Sequence, residues 1–320
     1  GHTAHATSEE AEAETRQMLD IYTDFAVRDA AIPVIPGRKS AAERFAGADQ
    51  TYSIEAMMGD GKALQSGTSH NLGQNFAKAF EIRYLDQGGT LQHCWTTSWG
   101  LSTRFVGAMI MVHGDDQGLI MPPRLAPFQL VIVPIFKNDV ERAAVLESAR
   151  KLRAELSGAG VRVKMDEREG MSPGFKFNDW EMRGVPLRLE LGPKDVAKGS
   201  VVLARRDRPG KGGKSFVPQA GINAAVARML EDIQKSLFDR ALAFRQANTA
   251  EPADYTEFKQ AVAKGFALSW WCGASACETQ IKEETKATMR CIPIEQPGGS
   301  GRCIYCGQPA NEKAIFARAY

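Results

Sequence analysis

Thr51-Tyr-Ser-Ile-Glu-Ala-Met-Met58, Gly59-Asp-Gly61 and Lys62-Ala-Leu-Gln-Ser66 read in order as strand, turn and strand. Tyr52, Ile54, Ala56 and Met58 alternate onto one face, the period of an extended chain. Gly59-Asp60-Gly61 supplies residues that tolerate positive φ where the chain reverses. The return strand runs into Gly67-Thr68-Ser69-His70. Two strands joined by a tight turn are antiparallel, which sets this region apart from the parallel sheets of dinucleotide-binding folds.

Upstream, the sequence predicts a helix over about 7–28. Thr7 with Glu10 three residues later fits a capping box, in which each side chain satisfies a free backbone N–H. Met18, Leu19, Tyr22, Phe25 and Ala26 then recur at helical spacing, and Pro33 and Pro36 end the run. Downstream, strands are expected over 91–99 and 119–121, with a helix over about 102–113 between them. From Gln129 the pattern changes. Gln129-Leu-Val-Ile-Val133 contains a continuous apolar run, as in a strand buried on both faces. Asn138 caps a helix to about Leu156, and further strands fall at 161–163, 186–191 and 201–204, with a helical stretch at 175–182. Alternating β and α elements argue for a compact α/β domain with a mixed sheet. A long helix follows over about 223–246, with apolar residues at Val226, Leu230, Ile233, Leu237 and Leu242.

The 320 residues, 43% hydrophobic and 24% charged, suggest two or three domains. No run approaches the ~20 apolar residues that a membrane-spanning helix needs. Net charge is only +2, so charge alone does not mark a nucleic-acid binder. Locally, the stretch from Arg205 to Lys214 holds five basic residues in ten. A solvated hairpin loop is the favoured reading, and a phosphate-contacting loop the alternative. Gly213-Lys214-Ser215 resembles the end of a P-loop, but the glycine required five residues earlier is Arg208, which rejects it.

Five of six cysteines lie in the last fifty residues. Cys272-x4-Cys277 and Cys303-x2-Cys306 form two close pairs, the arrangement that a tetrahedral four-thiolate zinc site requires. Gly273 and Gly307 each follow a ligand candidate and ease tight turns. The alternatives are buried free thiols, or disulfides, which need an oxidising compartment that nothing in the sequence indicates. Cys291 and Cys94 read as packing. An anion site is conceivable at Trp99-Gly-Leu-Ser102-Thr-Arg104, where free N–H groups at a helix start and a guanidinium converge. Hydroxyl residues there are more often plain caps. No Ser-His-Asp or Cys-His pattern can be assigned from spacing.

Taken together, these segments resemble one family. Gly1-His-Thr-Ala-His-Ala-Thr7 is similar to the end of motif 2 in class II prolyl-tRNA synthetases of the archaeal and eukaryotic type. Gly67-Thr-Ser-His-Asn-Leu-Gly-Gln-Asn-Phe76 resembles the stretch between motifs 2 and 3. Ser98-Trp-Gly-Leu-Ser-Thr-Arg104, Met111-Val-His-Gly-Asp115 and Leu119-Ile-Met-Pro-Pro-Arg124 resemble the motif 3 region. Gly192-Pro-Lys-Asp195 and Phe316-Ala-Arg-Ala-Tyr320 also match.

The resemblance implies an α/β protein in three parts. A partial class II catalytic domain with an antiparallel sheet would span 1–127, an anticodon-binding domain 128–222, and a small zinc-binding α+β domain 223–320. It implies ATP-dependent activation of L-proline and transfer to tRNA(Pro), in a cytoplasmic homodimer with no membrane association. Arg104 would hold ATP, with Ser102 beside it. Gln65 and Thr68 would contact ATP, Gln65 near its Mg²⁺. His70 would line the proline pocket, with His2 close by and Trp99 walling the site. Cys272, Cys277, Cys303 and Cys306 fall on the family's zinc positions. Lys194 and Asp195 sit on its anticodon loop, with Glu190 and Arg205 as further candidates for reading bases. Two positions depart mildly: Ser102 stands where Thr is common, and Asn71 where a second His is common. Motif 1 and the first half of motif 2 are outside this stretch, so the stretch alone is expected to be inactive. The competing readings are a non-catalytic RNA-binding module derived from a synthetase and a zinc-stabilised interaction scaffold.

Overall fold

Local signals set the first elements of the computed structural model, which describes residues 1–208 and 210–320. After strand β1 (His2–His5), helix α1 (Ser8–Asp24) starts at Thr7. Thr7 Oγ1 accepts from Glu10 N at 3.2 Å, and Glu10 Oε2 accepts from Thr7 N at 3.4 Å, the expected capping box. Past Asp24 the helix widens into a single π turn, Phe25–Asp29. Pro33 then leads into β2 (Val34–Arg38), followed by β3 (Gln50–Met57) and β4 (Ala63–Gly73). Gly61 makes the turn between β3 and β4 at φ +81°, and a Cβ there would lie 2.0 Å from Lys264 O. Short elements follow: α2 (Asn75–Ala79), β5 (Arg83–Leu85), β6 (Leu91–His93), β7 (Trp95–Gly100) and α3 (Arg104–His113). The strand expected over 91–99 is thus broken at Cys94.

The middle of the chain runs β8 (Leu130–Pro134), α4 (Asp139–Gly158), β9 (Val163–Met165), α5 (Pro173–Met182) and β10 (Leu187–Leu191). It continues with α6 (Pro193–Lys198), β11 (Ser200–Arg205), β12 (Lys214–Pro218) and α7 (Ile222–Ala247). The last part holds β13 (Thr249–Ala250), α8 (Tyr255–Lys264), β14 (Phe266–Trp271), α9 (Ser275–Thr285) and β15 (Thr288–Pro293). It ends with β16 (Gly301–Arg302), β17 (Pro309–Ala310) and β18 (Glu312–Ala317).

Two compact units result. Gly1–Arg28, Ile32–Val112 and Leu242–Tyr320 form the first. Its sheet has nine strands in the order β1-β7-β4-β3-β2-β15-β18-β14-β13. Every neighbouring pair is antiparallel except β13–β14. The carboxy-terminal strands therefore extend the sheet begun by the 51–70 hairpin. They join it where β15 meets β2, with Ile292 opposite Arg38 and Pro293 opposite Gly37. Contact at that seam is close: a Cβ on Gly37 would meet Ile292 O at 2.6 Å and Cys291 Cβ at 2.7 Å.

Asp29–Ala31 and His113–Ala241 form the second unit. Its sheet runs β12-β11-β10-β8-β9, with β8 parallel to β9 and β10 and the other pairs antiparallel, so it is mixed as expected. The apolar run on β8 serves both faces. Leu130 and Ile132 pack with Val145, Leu152, Val226 and Ile233 from α4 and α7, whereas Val131 and Val133 meet Trp180. Residues 119–121, expected as a strand, form no ladder. Their N–H groups instead bond Met182 O and Gly184 O at 3.0 Å. The segment after Gly192 is a helix, capped when Asp195 Oδ2 accepts from Gly192 N at 2.9 Å. No helix of the structure is long and apolar enough to cross a membrane among the described residues.

Two outcomes follow from this packing. Gly37→Ala should destabilise the first unit by ~1–3 kcal/mol, the cost of overpacking a close seam. Guanidinium denaturation measures this, and an unchanged midpoint would mean the seam is looser than described. In the second unit His113 is buried, its Nε2 donating to Ala30 O at 2.8 Å. Burial pushes its imidazole down to about 4 from 6.5. The unfolded chain therefore takes up a proton from pH 6.5 downward while the folded chain does not. Stability should fall between pH 6.5 and 4, by on the order of 3 kcal/mol in total. In His113→Gln, denaturation midpoints measured across that window should fall less steeply. An equally steep fall would remove His113 as its source.

Candidate active site and metal centre

Strand register brings four polar side chains into one row. His2 pairs with Ser98, His70 with the same Ser98, and Thr51 with His70, across β1, β7, β4 and β3. His70 lies 3.0 Å by Nδ1 from Thr51 Oγ1 and 3.1 Å by Nε2 from Thr68 Oγ1. Burial lowers its pKa, so the ring is neutral at pH 7. The Phe45 ring covers it at 4.9 Å, and Phe76 stacks on Phe45 at 6.4 Å. Beside this row is a cavity of about 450 Å³, lined by His2, Phe45, Phe76 and Ser98 among others.

A second, more polar cavity of about 290 Å³ opens next to Thr68. Gln65, Thr68, Ser102 and Arg104 all line it, together with the backbone around Gly67 and Gly100. Gln65 and Thr68 are three residues apart, a spacing that regular alternation would put on opposite faces. A β-bulge resolves this. Gly67 pairs with Ile54 and Gln65 with Glu55, leaving Ser66 as the extra residue. Arg104 begins α3 on the far wall. Its N–H donates to Ser102 Oγ at 3.3 Å, and its exposed guanidinium has no ion-pair partner among the described residues. The site therefore offers one free cation, two hydroxyls and an amide.

Trp99 pairs with Ser69, so alternation sends its indole to the opposite face from Ser98 and His70. That face carries α1 and a second polar layer. Glu12 accepts from Tyr52 Oη at 2.6 Å and from Asn71 Nδ2 at 3.1 Å, while Ser69 Oγ donates to Thr15 O at 2.8 Å. Burial and the Glu12 carboxylate push the Tyr52 hydroxyl up to about 12, so it stays a donor.

The carboxy-terminal cysteines converge. The Sγ atoms of Cys272, Cys277, Cys303 and Cys306 lie within 4.8 Å of one another, and Cys272 is 3.7 Å from both Cys277 and Cys306. Zn–S bonds of about 2.3 Å in a tetrahedron place sulfurs about 3.8 Å apart, so the cage has the right size. No pair is a disulfide. Gly273 at φ +86° and Gly307 at φ +71° form the two knuckles. Burial raises the Cys277 thiol, whereas the Gln308 N–H draws Cys306 down to about 7. Cys94 and Cys291 are buried away from the cage, as packing.

In the second unit the sequence-named residues do not form one cluster. Lys194 is exposed, Asp195 caps α6, and Arg205 pairs bidentately with Asp207 at 2.9 and 2.8 Å. Glu190 is different. It accepts from Arg188 at 2.9 Å and from Lys214 at 2.8 Å, and Arg188 also donates to Glu181 at 2.6 Å. Arg188 lies 4.1 Å over the Phe177 ring. Arg188, Glu181 and Phe177 were not singled out, although the alternation Leu187-Arg-Leu-Glu-Leu191 puts Arg188 and Glu190 on one face. The basic stretch is a β11–β12 hairpin connection. Arg206 pairs with Asp115 and Lys214 with Glu190, while Arg208 and Lys211 are exposed. Pro209 lies outside the described residues.

Comparison with known proteins agrees with this layout. A family profile described as the carboxy-terminal domain of prolyl-tRNA synthetase matches residues 255–320, and one described as an anticodon-binding domain matches 129–216. A proline–tRNA ligase of Roseiflexus castenholzii is 58% identical over 321 residues, covering 100% of this chain and 67% of the relative. The chloroplastic/mitochondrial proline–tRNA ligase of Arabidopsis thaliana is 55% identical, over 100% of this chain and 60% of its own length. That of Cytophaga hutchinsonii is 49% identical, with 65% of its length covered. This chain belongs to the proline–tRNA ligase family.

Proposed function

We propose that the chain serves, within a protein of its relatives' length, to activate L-proline with ATP and transfer the prolyl group to tRNA(Pro). One observation carries the reading. Gln65 and Thr68 from β4, and Ser102 and Arg104 from the β7–α3 junction, line a single cavity beside a neutral His70. In the first step a proline carboxylate oxygen attacks the α-phosphorus of ATP and pyrophosphate leaves. In the second, a ribose hydroxyl at the tRNA 3′ end attacks the acyl carbon and AMP leaves. Neither step needs a protein nucleophile, so orientation and charge stabilisation suffice. Arg104 binds the triphosphate as a bidentate donor. Thr68 and Ser102 supply hydroxyls. Mg²⁺ bound with ATP would supply charge neutralisation, and Gln65, which lines the cavity, would offer it an oxygen. His2 lines the larger cavity, which is the proposed proline pocket, His70 lies behind its Phe45 wall, and Trp99 backs the sheet from behind.

On this reading residues 1–127 act in catalysis, 128–222 in anticodon recognition and 223–320 as the zinc-stabilised part. The Glu190–Arg188–Lys214 cluster presents acceptors and donors together, which base edges in a single-stranded loop require. Exposed Lys194 and the Asp207-paired Arg205 are further candidates, and Asp195 caps α6. A cytoplasmic homodimer is the setting that goes with this reading. Zn²⁺ on the four thiolates is structural, since four protein ligands leave no open position.

The first test is proline-dependent ATP–pyrophosphate exchange. It is run on this chain and on the chain extended at its amino terminus to the length of the Roseiflexus relative. The extended form should exchange, and Arg104→Ala should lower its kcat/KM by ~100-fold or more. No exchange in either folded form would overturn the proposal. For the metal, elemental analysis should find one zinc per chain in the wild type and none in Cys303→Ser. Chelation should make residues 266–317 susceptible to protease. Metal-free protein that is equally protected would remove the structural role.

A further inference from the structure

Thr51 borders the site through its contact with His70. The residue is buried, at 2% exposure on β3. Among the described residues Thr51 Oγ1 has two partners: Phe45 N at 3.1 Å and His70 Nδ1 at 3.0 Å. The Phe45 N–H can only donate, so it occupies an oxygen lone pair. The single proton on Oγ1 then has one acceptor in reach, which is His70 Nδ1. If Nδ1 carried the ring proton instead, the Thr51 proton would be buried without a partner. Such a loss disfavours that tautomer by a factor of ~10 or more.

The consequence passes through the ring. A neutral imidazole that accepts at Nδ1 carries its proton on Nε2. Nε2 faces Thr68 Oγ1 at 3.1 Å and so donates to it. Thr68 does not then spend its own proton on the histidine. That proton is free for the cavity shared with Gln65, Ser102 and Arg104. With the opposite tautomer, Thr68 would donate to Nε2 and offer the cavity only lone pairs, which repel phosphate oxygens.

We propose that Thr51 is a positioning residue: it holds His70 as the Nε2–H tautomer and thereby makes the Thr68 hydroxyl a donor to the triphosphate. The relay runs Phe45 N–H to Thr51, Thr51 to His70, His70 to Thr68, and Thr68 to the bound anion. Only the identity of that anion rests on the adenylation reading.

The test reads the tautomer directly. Imidazole ¹⁵N spectra of the chain, with His70 assigned through His70→Gln, should show Nδ1 unprotonated and Nε2 protonated. Thr51→Ser, which keeps the hydroxyl, should leave the spectrum unchanged. Thr51→Val, which keeps the shape, should bring in the Nδ1–H form. ATP affinity should weaken about tenfold in Thr51→Val and in Thr68→Val, and no further in the double variant. Thr51→Ser should restore it. A wild-type Nδ1–H tautomer would overturn the proposal even if Thr51→Val failed to fold. So would an unchanged spectrum in a folded Thr51→Val. If even the amino-terminally extended wild type bound no ATP, the adenylation reading would fall, while the spectra would still decide the role of Thr51.

Discussion

Glu55 is a carboxylate with no exposure to water, and the first unit is arranged around satisfying it. Its Oε1 accepts from Lys39 Nζ and Ser53 Oγ, each at 2.8 Å, and its Oε2 from Arg290 Nε at 3.1 Å. Lys39 also donates to Arg290 O. A buried ion pair is weak evidence of net stabilisation, because desolvation offsets much of the attraction. Its effect here is on specificity. Glu55 and Arg290 are 235 residues apart, and the carboxylate cannot be satisfied unless β15 lies against the hairpin in this register. Removing Glu55 would leave Lys39 and Arg290 buried without an ion-pair partner, a loss of ~3–5 kcal/mol.

The same cluster bears on the site through two irregularities of the sheet. Arg290 is the extra residue where the β15–β18 register shifts between Met289 and Cys291. Glu55 sits beside the β3–β4 bulge, paired with Gln65. Bulges re-aim side chains, and this one turns Gln65 onto the face of Thr68. On the other side, Ser40 follows Lys39 and donates to Glu278 at 2.8 Å, next to Cys277. Burial raises the Glu278 pKa. A continuous set of contacts thus runs from the cysteine cage to the polar cavity, all within one unit. This gives the carboxy-terminal part a physical connection to the sheet that carries the polar cavity, beyond mere attachment.

What was legible in the sequence was local. Thr7 with Glu10, and Asn138 at the start of α4, identify helix starts because each cap is closed within four residues. The apolar run on β8 identifies a doubly covered strand because burial on both faces leaves no room for polar residues. The nine-stranded sheet could not be read in this way, since the β2–β15 pairing depends on contacts across the whole chain. Residues 119–121 look like a strand but bond into turns around Gly184. For the sites, Ser102 and Arg104 stand out weakly as an anion site at a helix start, whereas the ATP-binding roles of Gln65, Thr68, Ser102 and Arg104 came from family resemblance. Their spacing alone would have placed Gln65 and Thr68 on opposite faces. Thr51 and Arg188 went unread because one acts through a cross-strand neighbour and the other through an ion network.

The two candidate sites handle charge in opposite ways, and this bears on a chain whose net charge is only +2. At the polar cavity Arg104 is left unpaired, which suits a triphosphate that brings its own negative charge. In the second unit three candidate cations are already matched, Arg188 to Glu181 and Glu190, Lys214 to Glu190 and Arg205 to Asp207, while Lys194, Arg208 and Lys211 are exposed. The matched cations gain little from phosphate attraction, which is indifferent to sequence. A base edge offers both donors and acceptors, so it can take the place of an acid against Arg188 and of a base against Glu190 at once. A wrong base would leave one of these buried groups unpaired, and that loss outweighs what a good contact adds. On the proposed reading, near-neutrality is therefore consistent with RNA recognition. It favours selection among anticodons over general affinity for RNA, which is the discrimination that pairing one amino acid with one set of tRNAs requires.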